Sequence, residues 1–222
     1  MIKGVFIAGN ESSVLSAIET EAAKRAESYA IAPISNRFSG TESRPAASTP
    51  LRFVLDWNPG SPISARALVI AAENRLGRIG EAILVCNPPQ IRKGATNFSY
   101  ADVEMLVNDH IKGWFFLVKE VAAAFRAKGE GTLSLVYPDI IETAGDEATP
   151  DILEHSVLAV FRSLTRDLLA SAFNEPFLTL GFTGSETGDD PGFASFIFKQ
   201  LEDKNRRGNG KLHKYGKSGF FK

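Results

Sequence analysis

Apolar residues along the chain alternate between two kinds of run. The first kind is short and continuous: "GVFIAG" (Gly4–Gly9), "YAIAP" (Tyr29–Pro33), "LRFVLDW" (Leu51–Trp57), "EAILVC" (Glu81–Cys86), "GTLSLVY" (Gly131–Tyr137) and "PFLTLGF" (Pro176–Phe182). Such runs predict strands buried on both faces. The second kind recurs every three or four residues and predicts helices. Val14, Leu15, Ile18, Ala22 and Ala26 mark one. Val103, Leu106, Val107, Ile111, Trp114, Val118, Val121 and Phe125 mark a long one opening at Asp102. Leu153, Val157, Phe161, Leu164 and Leu168 mark a third, and "PGFASFIFKQLED" a last one. Another, "SPISARALVIAAENRLG", has a capping serine, then proline, and a closing glycine. Between Ser35 and Pro50 the chain is rich in Ser, Thr, Pro and Gly without an apolar period, which predicts a loop.

Strand and helix alternate throughout, so the economical architecture is a parallel sheet covered on both faces. The expectation is a doubly wound, Rossmann-like three-layer α/β/α sandwich with a parallel sheet of about six strands. It occupies residues 1–203 as one domain, and residues 204–222 form a basic, glycine-rich C-terminal tail. A ligand site in such a sheet lies at the carboxyl ends of the strands.

Composition narrows the chemistry. The chain has 222 residues and a net charge of −1, which gives no overall pull toward nucleic acid or anionic lipid. The charge is uneven. Lys204, Arg206, Arg207, Lys211, Lys214, Lys217 and Lys222 stand without an acid near the C-terminus, leaving 18 basic against 26 acidic residues before them. The interleaved basic and aromatic residues of this tail invite a nucleic-acid reading, but a terminal, glycine-rich segment is more simply an extension, flexible or docked on the protein itself. The single cysteine, Cys86, excludes an internal disulfide framework and a cysteine-rich metal site. The three histidines, His110, His155 and His213, lack metal-site spacing, so no metal is expected. No apolar run approaches the ~20 residues that span a bilayer. The N-terminal "MIKGVFIAGN" does not read as a signal peptide, and a cytoplasmic protein is expected.

Several stretches, in order and at matching spacing, resemble the short-chain dehydrogenase/reductase family. "VFIAGNESSVLSAIETEAAKRA" is similar to its first strand, glycine-rich turn and helix, and "VLDW" to the strand end that carries an acid for the adenine. "ILVCNPP" stands where the family has Asn-Asn-Ala-Gly. "DHIKGWFFLVKEVAAAFRAKGEGTLSLVY" is similar to the Asn-x-x-Gly helix and fifth strand, and "LAVFRSLTRDLLA" to the stretch that begins at the catalytic lysine. The resemblance implies NAD or NADP as cofactor if the cleft at this turn is open, with Gly9, Asp56 and Asn87 as contacts; the residues of the turn themselves assign no cofactor. It also implies a homo-oligomer, dimer or tetramer, through the helices matching residues 101–127 and 150–172.

The resemblance stops where the chemistry should begin. The family sets a tyrosine and, four residues on, a lysine on one helix face. Here Glu154 and Leu158 stand there, or His155 and Ala159 if the alignment slides by one. His110 replaces the family asparagine, and Pro138 or Asp139 its serine. Of the turn glycines only Gly9 remains. Ser13 and Leu15 replace the others, Glu11 adds a negative charge beside them, and Pro88 and Pro89 each remove an N–H.

Candidates for replacement chemistry are Tyr137 as a displaced phenol, Glu154 with His155 as an acid–base pair, and His110 as a ligand contact. Each has a plainer reading. Tyr137 caps the core, Glu154 favours the helix dipole, and His110 bonds the strand edge. Two functions follow. One is a family-like protein with a degenerate site and a binding, regulatory or structural role toward a small molecule or partner. The other is an active NAD(P)-dependent oxidoreductase drawing its proton from Tyr137, Glu154 or His110.

Overall fold

A computed structural model describes residues 4–34, 50–87, 93, 95–139, 152–184, 189–203 and 208–216. Strands β1 (Val5–Asn10), β2 (Ser28–Ile34), β3 (Leu51–Val54), β4 (Glu81–Val85), β5 (Thr132–Pro138), β6 (Leu178–Gly184) and β7 (Lys211–Tyr215) form one sheet. Its order is β3-β2-β1-β4-β5-β6-β7, and every pairing is parallel. The fold is Rossmann-like, with helices on both faces.

β1, β4, β5 and β6 are buried along nearly their whole length, as central strands of a parallel sheet must be. Their alternate residues serve two cores. Phe6, Ala8, Leu84, Leu135 and Tyr137 face helices α2 (Pro62–Leu76), α4 (Gly113–Lys128) and α5 (Ile152–Ser171). Val5, Ile7, Val85, Val136 and Phe182 face α1 (Ser13–Arg25) and α6 (Asp190–Asp203). Arg25 ties those two helices together. Its guanidinium reaches Glu21 at 2.9 Å, Glu202 at 3.0 Å and the Ser195 hydroxyl at 3.0 Å.

Two features correct the expectations. The sheet has a seventh strand, β7, inside the segment expected to be a tail. Its backbone runs parallel to β6, with Leu180 opposite Lys211 and Gly184 opposite Tyr215. Asn209 anchors the entry: its Oδ1 accepts from Thr179 N at 2.8 Å and its Nδ2 donates to Ala172 O at 3.2 Å. Tyr215 anchors the exit by donating to Asp189 and stacking on Phe193.

The long helix also opens earlier and is not uniform. Ser99 caps α3 (Tyr100–Met105) in a reciprocal capping box with Asp102. Leu106–Lys112 is then a π-helical segment, continuous with α4. The wider turn rotates Val103 outward, where it is exposed, and carries His110 inward, where it is buried.

Candidate functional site

The chain crosses from β3 on one side of β1 to β4 on the other, so the sheet's switch point lies between the carboxyl ends of β1 and β4. Open α/β sheets form their ligand crevices at such points. Asn10, the last residue of β1, is buried there.

A short hydrogen-bond chain fixes this point. The backbone N–H of Asn87 donates to Asn10 Oδ1 at 3.2 Å. Because that amide can only donate, the Asn10 atom facing it is oxygen and the other is the NH₂ group. Asn10 Nδ2 therefore donates to His110 Nδ1 at 2.8 Å. An accepting Nδ1 places the imidazole proton on Nε2 and keeps the ring neutral. Burial acts in the same direction and lowers the His110 pKa to about 4. The π segment makes this contact possible by bringing a ring from the helix down to the end of β1.

The turn from β1 into α1 is closed by its own side chains. A Cβ on Gly9 would meet Val85 O at 2.6 Å and Leu15 Cδ1 at 3.1 Å. Gly9 thus lets β1 lie against β4, and Leu15, buried, fills the space above it. Ser12 is the helix cap, and its Oγ accepts from Leu15 N at 3.1 Å. Glu11 is exposed at the start of the turn.

At the end of β5, Tyr137 is buried, its ring edge-on to Phe161 at 6.2 Å. Burial raises its pKa; Arg162 opposes this and Asp139 adds to it. The Arg162 guanidinium carbon lies 5.5 Å from the Tyr137 ring centre. Arg162 Nη2 is 3.3 Å from Pro138 O and 3.4 Å from Asp139 Oδ1. On α5, Val157, Leu158 and Phe161 are buried against the sheet, whereas His155 and Ala159 are exposed on the outer face. The register that aligns Leu158 with the family lysine is therefore the one facing the sheet. The Glu154 side chain, Pro88 and Pro89 lie outside the described residues.

The remaining candidates stand apart from this cluster. Asp56 is exposed beyond the end of β3, and Asn87 takes part through its backbone. Cys86 is fully buried, and burial pushes its thiol pKa up, so it is no nucleophile. His213 stacks on Phe182 at 5.4 Å in β7. Among the described residues no group of His, Cys, Asp and Glu is arranged to hold a metal ion, and no helix is long and apolar enough to cross a membrane.

Sequence reasoning missed Asn10, Ser12 and Arg162 as parts of this edge. Asn10 was legible as a polar residue directly following a buried strand. Arg162 was legible as a charge one turn after Leu158 on an apolar helix face.

No family model matches the sequence, and no curated protein matches it. Solved structures do match. A short-chain dehydrogenase from Mycobacterium smegmatis is similar at 13% identity and TM-score 0.71, over 98% of this chain and 93% of that one. The NADH-dependent reductase A1-R', complexed with NAD, is similar at 12% identity and TM-score 0.72, over 97% and 96%. ElxO, with NADP bound, is similar at 14% identity and TM-score 0.71, over 96% and 97%. This chain has the short-chain dehydrogenase fold. Identity this low establishes the fold alone. The near-complete coverage means that the short-chain dehydrogenase fold accounts for β7 as well.

Proposed function

We propose that the protein uses this fold to bind, in a regulatory or structural role, and does not carry out the family's proton relay. Leu158 carries the reading. It is buried at the position the resemblance gives to the catalytic lysine, and a side chain packed into the core can neither carry a charge nor lower a phenol's pKa. The turn supports it. NAD and NADP present a pyrophosphate that needs free amides and close backbone approach at this turn. Ser12 occupies the Leu15 amide, Leu15 fills the space above Gly9, and the Glu11 carboxylate repels phosphate. These residues fit neither cofactor well.

One observation favours the second reading, an active oxidoreductase. The neutral His110 has its proton on Nε2, and a neutral imidazole can donate a hydrogen bond to a substrate oxygen. Two of the structural neighbours are complexes with NAD and NADP.

Titrating the purified protein with NADH and NADPH, by fluorescence or calorimetry, separates the two. No saturation at millimolar cofactor is the expected result. Tight one-to-one binding would remove the no-cofactor part of the proposal. Turnover that disappears in Y137F, E154Q or H110Q would remove the rest. A homo-oligomer, dimer or tetramer, accompanies the proposal. Phe115, 47% exposed on α4, would lie in its interface, and light scattering on F115E tests that.

A further inference from the structure

The carboxyl edge of the sheet carries a second polar cluster, away from the switch point. Tyr137, Thr183 and Lys214 stand in one row across β5, β6 and β7. The row faces α5. Gly181, two residues before Thr183, meets Thr165 Cγ2 and Leu169 Cδ1 of that helix on the side where its Cβ would stand. Leu212 Cδ1 approaches the same side from β7. Strand residues two apart share a face, so Thr183 and Lys214 turn the same way as Gly181 and Leu212. Arg162 lies one helical turn before Thr165, over the Tyr137 ring.

Two polar atoms here are buried without a hydrogen-bond partner: Thr183 Oγ1, in a residue 2% exposed, and Arg162 Nε. Both can donate. A buried donor with no acceptor is unfavourable, and these two, each neighbouring Tyr137, call for an acceptor that neither supplies. Charge specifies that acceptor. Arg162 and Lys214 contribute two cations. Among the described residues the anion paired with Arg162 is Asp139, which reaches it only at 3.4 Å, with both side chains about two-fifths exposed.

We propose that Arg162, Thr183 and Lys214, floored by the Tyr137 ring, form a subsite for an oxyanion group, carboxylate or phosphate, of a small molecule. Arg162 Nε and the Thr183 hydroxyl donate to its oxygens. Lys214 adds charge from the solvent side, and Asp139 gives up its loose pairing. The subsite does not depend on whether a nicotinamide cofactor binds at the β1 turn. It also gives a role to a cation from the basic C-terminal segment.

The test is a nuclear magnetic resonance titration of the full chain with sodium acetate and, separately, with inorganic phosphate, ionic strength being held constant with chloride. The Arg162 Nε–H and Thr183 amide signals report. Saturable shifts at millimolar anion are expected, and the tighter of the two probes identifies the group. R162K and T183V should each weaken binding about tenfold, and K214A about threefold. T183V replaces an unpartnered hydroxyl with a methyl group, so its melting temperature should hold or rise. K214A changes an exposed residue, so both variants remain measurable if R162K does not fold. Three results would overturn the proposal: no saturable response to either anion, a response unchanged in T183V and K214A, or an Arg162 Nε–H held by water that anion does not move.

Discussion

Pro59 occupies the space that a side chain on Gly113 would need: a Cβ there would come within 2.7 Å of Pro59 Cβ. The loop after β3 therefore rests directly on the helix backbone where the π segment gives way to α4. G113A should gain about 1 kcal/mol of helix propensity and lose more to the clash, for a net destabilisation of about 1–2 kcal/mol. Urea unfolding of G113A, and of G113A combined with P59G, which removes the clashing Cβ, checks this. The second change should recover part of the loss.

His110 makes stability depend on pH. Its folded pKa, about 4, lies below the ordinary value of 6.5. Between those values the unfolded chain binds a proton that the folded chain does not, so stability falls as pH falls through that window. The loss approaches about 3 kcal/mol at its lower end. Asp109, whose pKa burial raises, partly offsets it by preferring its proton in the fold. H110Q should flatten the pH dependence of the urea midpoint between pH 6.5 and pH 4.

N10D probes the same link from the other side. A carboxylate facing Nδ1 would favour the imidazolium, so the His110 pKa should rise clearly above that of the unsubstituted protein. The imidazole carbon shifts, followed against pH, read it directly. An unchanged midpoint would show that Asn10 does not set the protonation state.

β7 should be held at both ends. N209A leaves the Thr179 N–H without its partner, while the Ala172 carbonyl keeps its bond from the Glu175 N–H, and should cost about 1–2 kcal/mol. Y215F removes the bond to Asp189 but keeps the rings on Phe193 and Phe196, and should cost about 1 kcal/mol. Hydrogen exchange should speed up in β7 well before β1 responds.

The sequence shows most of the fold because central parallel strands are apolar on both faces, and β1, β4, β5 and β6 are. β7 is hidden for the opposite reason. "KLHKY" lies on the sheet's edge with Lys211, Leu212 and Lys214 exposed, so its pattern follows solvent and not a core. The π segment is hidden because its middle inward residue is His110, which an apolar count passes over. Leu106, His110 and Trp114 keep the every-fourth-residue spacing of an ordinary helix face, so the letters do not mark the wider turn. At the candidate site, the substitutions along α5 and the β1 turn are legible as letters. Which α5 register faces the sheet is not, because it depends on how the helix is rotated. Arg162 and Thr183 come together only through strand register.

Strand β7 also bears on how the chain matures. Among the described residues it is the last strand of the sheet both in chain order and in space. A ribosome releases β6 well before β7, and in that interval Leu180 and Phe182 flank an open edge capable of pairing with another chain. Lys211 and Lys214 then close the edge with charge. Yield in the cell should therefore respond to changes in residues 208–216 more strongly than their small share of the core suggests.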